Sequence, residues 1–173
     1  MCKSLEDISV DDESIKKLKD IIFGKGELHY VIESNKYNIT GEASGKLVGG
    51  NLTLLQSLLE SKSSIDTNNK SVFIEEVGEY LYHIDRMLIS LKRAGYFDNC
   101  KGLIVGDFTD MRKNTTPFGR NLKELILDIV GEYDFPVSFG FPAGHGEKNY
   151  PMILGREINL EVSKQQSIIN FSD

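Results

Sequence analysis

The stretch SVFIEEVGEYLYHIDRMLISLKRAGYFDNCKGLIV, residues 71–105, decides the fold class. Residues 71–74 and 102–105 are short apolar runs that predict buried strands. Between them, residues 82–94 predict a helix, which Gly95 can end. Its apolar residues recur at i, i+3, i+4 and i+7: Ile84, Met87, Leu88 and Leu91. A helix between two buried strands favours parallel pairing, so the stretch predicts a strand–helix–strand unit.

The alternation of strand and helix continues towards the C-terminus. A second set of apolar residues has helical spacing: Leu122, Leu125, Ile126 and Ile129. Residues 136–139 then predict another strand. The chain closes on a predicted hairpin, with strands at residues 158–162 and 169–171 that would pair antiparallel.

Upstream of the central unit, a first helix is predicted from a cap at Asp11 or Asp12 to Gly24. Its apolar stripe consists of Ile15, Leu18 and Ile22. Residues 27–34 and 36–42 predict a hairpin. With the parallel strands, these antiparallel additions predict an α/β domain built on a mixed sheet with packed helices.

A glycine-rich segment, residues 45–51, precedes a short predicted helix at residues 52–59 with Asn51 as N-cap. We expect a tight backbone turn there. Glycines before a helix can also cradle a phosphate, but neither the P-loop nor the dinucleotide fingerprint is present. Nucleotide binding is therefore the minor alternative for this segment.

Composition indicates one globular domain and argues against several functions. The 173 residues carry a net charge of −6 without a basic stripe, which speaks against nucleic-acid binding. We find no apolar run near the roughly 20 residues of a membrane helix and no signal-peptide pattern, so we expect a cytoplasmic protein without membrane contact. Cys2 and Cys100 are expected to be free thiols, with one disulfide as the alternative. The few histidines and cysteines predict no metal site.

Two side chains are candidates for proton-transfer chemistry. Glu75 is the first polar residue after the apolar run that ends at Ile74, and a carboxylate at a strand end can orient an imidazole. The alternative is that Glu75 caps a helix or faces solvent. His145 lies between two glycines after a predicted strand, where a histidine can move protons near neutral pH. His29 and His83 lie in regular elements and are expected to be structural or surface residues.

A nucleophile that would complete such a site is missing from the pattern. No G-x-S-x-G elbow is present. Ser44 and Ser138 lie near glycines without a strand-to-helix turn around them, and Cys100 lies in what we expect to be a surface connection. The residues alone therefore predict a base and its carboxylate partner without a nucleophile.

Three segments resemble a known family. GKLVGGNLTLLQSLL (residues 45–59), VFIEEVGEYLYHIDRMLISLKRAGYFDNCKGLIVGDF (72–108) and PVSFGFPAGHGEKNYPMILG (136–155) closely resemble the C-terminal half of the LD-carboxypeptidases. These are serine peptidases of the murein-tetrapeptide and microcin-resistance type. The resemblance implies a C-terminal domain of the swivelling β/β/α type. It also implies that Glu75 and His145 are the glutamate and histidine of a Ser-Glu-His triad.

Other residues of the matching segments receive weaker assignments from the resemblance. Glu76 is the alternative register for the triad glutamate. Glu79 and Arg86 are expected to be structural or interface residues.

In that family the serine comes from an N-terminal domain, so the resemblance implies that this chain is the C-terminal half alone. Residues 1–10 are then a tail or linker remnant, and residues 11–173 form the domain. The expected partner is a serine-bearing domain, in cis or in trans, and the expected substrate is a murein tetrapeptide that loses its terminal D-alanine. No cofactor is implied, and we expect no activity from the chain alone.

An alternative is a non-catalytic module, derived from such a domain, that binds a peptide or a partner. A domain built to face a partner would expose an apolar patch, which could also support a homodimer.

Overall fold

The computed structural model describes residues 13–24, 28–113 and 116–172. Residues 1–10, the predicted tail, lie outside the described residues, as do Cys2 and the predicted caps Asp11 and Asp12. The elements in chain order are α1 (Glu13–Ile22), β1 (His29–Glu33), β2 (Gly41–Asn51), α2 (Leu52–Ser57), β3 (Lys70–Val77), α3 (Leu81–Arg93), β4 (Gly102–Thr109), α4 (Leu122–Val130), β5 (Val137–Phe139), β6 (Glu157–Val162) and β7 (Gln166–Phe171).

The seven strands form one mixed sheet in the order β1-β7-β6-β2-β3-β4-β5. β2, β3, β4 and β5 are parallel to one another, whereas β6, β7 and β1 add to the β2 edge in antiparallel pairs. The predicted mixed sheet, its central strand–helix–strand unit and its closing hairpin are confirmed.

The predicted hairpin of residues 27–34 and 36–42 is wrong. β1 pairs with β7 instead, with Tyr30 opposite Ile169. That pairing aligns the buried face of β1 with the buried face of β7, and a sheet register follows the apolar face that it can bury. Residues 36–40 form no strand, and Ile39 makes only an isolated bridge with Val137.

The predicted glycine turn at residues 45–51 is also wrong, because the segment lies inside the long strand β2. Gly49 has φ +125°, and a methyl group there would overlap the backbone of Phe73 on β3. The glycine thus permits a close approach between two parallel strands. Asn51 does cap α2, since its side-chain oxygen accepts the N–H of Leu54 at 3.2 Å.

The sheet is buried on both faces, which explains why β3 and β4 are apolar almost throughout. Val72 and Ile74 point to a helix-side core that contains Ile84, Leu88 and Ile126. The intervening Phe73 points to the opposite, loop-side core, which also contains Ile104, Phe141 and Ala143. Because of this alternation, Glu75 and Glu76, which follow Ile74, point to opposite faces of the sheet.

Helix α1 buries less than its sequence predicts. Leu18 and Ile22 of the predicted stripe are exposed, and it is Ile21 that packs against the loop-side core. Among the described residues, no helix is long and apolar enough to cross a membrane.

Candidate active site

Glu75 and His145, 70 residues apart in sequence, lie in direct contact. Nδ1 of His145 is 2.7 Å from Oε2 of Glu75. The Glu75 side chain is 8% exposed and the His145 side chain 29% exposed, so the carboxylate is buried and the imidazole reaches solvent. The structure therefore brings together the two residues that the sequence singled out.

The strand that carries Glu75 is longer than predicted. β3 continues to Val77, so Glu75 lies inside the strand, opposite Asn51 of β2, rather than after it. By alternation Glu75 points to the same side as Phe73, the loop side of the sheet. The alternatives in which Glu75 caps a helix or faces solvent are thereby excluded.

The loop that carries His145 is fixed by backbone hydrogen bonds to β4. The N–H groups of Gly140 and Phe141 donate to the carbonyl of Val105 at 3.0 and 3.1 Å, and the N–H of Asp107 donates to the carbonyl of Ala143 at 2.8 Å. Gly144 has φ +138°, and a methyl group there would lie 2.9 Å from Oε2 of Glu75. Glycine at this position lets the loop approach the carboxylate.

The contact determines what the imidazole can do. An ionised carboxylate only accepts hydrogen bonds, so Nδ1 carries the proton that it donates to Glu75. In a neutral imidazole Nε2 is then an acceptor. Among the described residues, Glu75 is the one hydrogen-bond partner recorded for this side chain. Nε2 can therefore take a proton from a hydroxyl that comes from outside these residues.

Glu76, the alternative triad glutamate, points to the opposite face and has a different role. Its carboxylate accepts the side-chain N–H of Asn51 at 2.8 Å and the backbone N–H of Val77 at 2.9 Å. It also accepts the backbone N–H and the hydroxyl of Thr53 at 2.8 and 2.7 Å. Glu76 is thus a buried acceptor that ties the start of α2 to β3.

A second histidine–glutamate contact differs from the first in its setting. Nδ1 of His83 is 2.7 Å from Oε2 of Glu79, but the two residues are four apart at α3 and 43% and 28% exposed. Arg86 lies over the ring of Tyr82 on the same helix. His29, on edge strand β1, contacts Asn170. The structural or surface roles expected for His29 and His83, and the structural or interface roles expected for Glu79 and Arg86, stay predictions.

The three candidate nucleophiles are not placed for catalysis. Ser44 donates its hydroxyl hydrogen bond to Asn159 within the sheet at 2.6 Å, and Ser138 is fully buried in β5. Cys100 is buried, so the expected surface position is wrong, and burial raises the pKa of its thiol to about 11. It is a free thiol, as expected. Within the described ranges, no cluster of histidine, cysteine and acidic residues could hold a metal ion.

A third charged side chain, which no sequence pattern indicates, lies beside the pair. Asp107 on β4 packs against Gly146, and its pKa is raised by burial and by the nearby charge of Glu75, while the backbone N–H of Gly146 lowers it. The signal that could have found it, an extra residue in β4, is visible only once the strand pairing is known.

Comparison with known proteins assigns the chain to a family. The LD-carboxypeptidase C-terminal domain profile matches residues 44–160, a range that includes both Glu75 and His145. The chain belongs to this family. A probable murein peptide carboxypeptidase of Bacillus subtilis is 32% identical over 94% of this chain and 52% of that protein. The murein tetrapeptide carboxypeptidase of Pseudomonas aeruginosa is 26% identical over 68% of this chain and 38% of that protein.

A solved structure confirms the fold assignment. The muramoyltetrapeptide carboxypeptidase of Oxalobacter formigenes superposes with a TM-score of 0.86 over 97% of this chain and 56% of that chain, at 22% sequence identity. The LD-carboxypeptidase C-terminal domain fold expected from the sequence is therefore correct. The chain spans about half the length of the Bacillus subtilis relative.

Proposed function

We propose that this domain supplies the glutamate and histidine of a Ser-Glu-His triad whose serine belongs to another domain. His145 takes the serine proton on Nε2, and Glu75 holds the imidazole and balances its positive charge. The observation that carries the proposal is the 2.7 Å contact between a buried carboxylate and a partly exposed imidazole. Glu75 is 8% exposed, whereas Glu79, the partner of His83, is 28% exposed, so the buried carboxylate is the better placed to hold an imidazole in one orientation.

The proposed reaction is removal of the terminal D-amino acid from a murein tetrapeptide. The Bacillus subtilis relative, a probable murein peptide carboxypeptidase, and the Pseudomonas aeruginosa relative, a murein tetrapeptide carboxypeptidase, support this substrate class. The serine hydroxyl attacks the carbonyl carbon of the last peptide bond, and its proton moves to His145. His145 then protonates the leaving amine of the D-amino acid, and water hydrolyses the acyl-enzyme. The proposal includes a cytoplasmic role in the recycling of murein peptides.

The chain on its own is expected to release no D-alanine, because neither Ser44 nor Ser138 lies in an activated position. Activity is expected from a chimera in which this chain replaces the matching half of the Bacillus subtilis relative. D-Alanine released from purified murein tetrapeptide is the measurement, with the unaltered relative as the positive control. Circular dichroism verifies that the chimera is folded.

Two results would contradict the proposal in different ways. Release by the chain alone that survives Ser44→Ala and Ser138→Ala, but not His145→Ala, would show that no external serine is needed. A folded chimera that binds the tetrapeptide without cleaving it would instead favour the non-catalytic binding module.

A further inference from the structure

The strand β4 contains one residue more than its partner β3 at the level of the Glu75–His145 pair. Ile74 lies opposite Val105, but Glu76 lies opposite Phe108, so two steps on β3 correspond to three on β4. Such a bulge re-aims the side chains that follow it. Phe108 consequently packs against the helix-side core. Without the extra residue, strict alternation would have sent Asp107 to that apolar core.

The re-aimed Asp107 instead meets the loop that carries His145. A methyl group on Gly144 would lie 3.2 Å from Cβ of Asp107, and one on Gly146 would overlap the Asp107 carboxylate. The carboxylate lies against Gly146, whose backbone N–H favours its ionised form, and the Asp107 backbone N–H donates to the carbonyl of Ala143 at 2.8 Å. Asp107 thus contacts the loop on both sides of His145.

We propose that Asp107 is the positioning residue of the site: it holds the loop so that Nδ1 of His145 stays at Glu75. The significance of this role for catalysis rests on the proposed function, whereas the role of Asp107 in holding the loop does not. Further along the loop, the N–H of Gly144 donates to the Asn149 side chain at 3.2 Å, the N–H of Asn149 donates to the Ser14 hydroxyl at 3.3 Å, and the N–H of Tyr150 donates to the carbonyl of Pro142 at 2.7 Å. Asp107 adds a contact between the sheet and the residues on either side of His145.

The carboxylates of Glu75 and Asp107 lie against one loop, and keeping both ionised there costs free energy. Burial and the charge of Glu75 both raise the pKa of Asp107, because each makes the ionised carboxylate less favourable. A residue kept there for packing alone would be served as well by leucine. The contact with the N–H of Gly146 distinguishes leucine from asparagine, since only asparagine retains an acceptor oxygen.

The experiment is NMR of the isotope-labelled 173-residue chain, with Asp107→Asn, Asp107→Leu and Gly146→Ala as variants. In the unaltered chain we expect a downfield His145 Nδ1–H resonance, assigned by its loss in His145→Ala, and a protected Gly146 amide. Asp107→Leu is expected to abolish the resonance and to speed exchange of the Gly146 amide at least tenfold. Asp107→Asn is expected to retain both signals.

Gly146→Ala is included in case Asp107→Leu fails to fold. It leaves Asp107 in place and only displaces its carboxylate from the loop. It is expected to lose the His145 resonance as Asp107→Leu does. Glu161→Ala, which removes an exposed carboxylate from β6, is the matched control and should change neither signal.

Retention of the resonance and of Gly146 protection in Asp107→Leu, or their loss in Asp107→Asn with the rest of the spectrum unchanged, would overturn the inference. This experiment uses neither a substrate nor the serine-bearing domain. A chimera that never cleaves tetrapeptide would therefore refute the proposed function and leave the positioning role standing.

Discussion

His145→Ala is expected to lower kcat of the chimera by about 10⁴-fold or more, with KM changed much less. The substitution removes the acceptor for the serine proton and the donor to the leaving amine, both of which act on the way to the transition state. Since the His145 side chain is partly exposed and makes one recorded hydrogen bond among the described residues, the fold should tolerate its loss. Steady-state release of D-alanine, with thermal unfolding measured in parallel, checks both parts.

The matched control for this substitution is His29→Ala. His29 is an exposed histidine on the far edge strand, where its ring contacts Asn170. Its removal should leave kcat within about threefold, as expected for surface changes. A His145→Ala chimera that retains more than a tenth of the original kcat would show that this imidazole is not the general base.

Glu75→Gln is expected to lower kcat by about 10²- to 10⁴-fold at little cost in stability. Glutamine has nearly the same shape, but it carries no charge to balance a protonated His145. Its amide group can also turn its NH₂ towards the ring and favour the wrong tautomer. The measurement is kcat of the chimera together with the free energy of unfolding from urea titration.

Glu76→Gln is the companion variant and is expected to behave in the opposite way. Glu76 is 2% exposed and accepts four hydrogen bonds, so glutamine would set its NH₂ group against donors. The free energy of unfolding should fall by about 2–5 kcal/mol, while kcat per folded molecule stays within about threefold. If Glu76→Gln abolished turnover and Glu75→Gln did not, the assignment of the two glutamates would have to be exchanged.

Local patterns predicted the part of the fold that depends on local physics. The helical spacing of Ile84, Met87, Leu88 and Leu91 and the apolar runs on either side specify the strand–helix–strand unit. The closing hairpin follows from alternation and a short turn. Asn51 was recognised as an N-cap because a capping side chain acts only a few residues along the chain.

The mistakes concern contacts between distant segments. β1 pairs with β7, more than 130 residues away, and nothing near β1 in sequence specifies that partner. The glycines of β2 were interpreted as a turn, because glycine ends strands in most contexts. Their reason is the backbone of Phe73 on the neighbouring strand, which becomes visible only with the sheet order.

The same distinction between local patterns and distant contacts applies to the candidate site. Glu75 and His145 were identifiable because an acidic residue in an apolar run and a histidine between glycines are both unusual. The opposite directions of Glu75 and Glu76 needed the full extent of β3, which continues to Val77. Asp107 was missed, since its side chain reaches the loop through a bulge that is defined by pairing between two strands.

The proposed triad can be probed by labelling with a fluorophosphonate, which phosphonylates a base-activated serine hydroxyl and releases fluoride. The chimera, the same chimera with His145→Ala and the chain alone are each treated, and the modified residue is located by mass spectrometry. We expect one labelled serine in the chimera, located in the half contributed by the Bacillus relative. The label should fall at least a hundredfold with His145→Ala, and the chain alone should carry none. A label on a serine of this chain, or equal labelling with and without His145, would contradict the proposed triad.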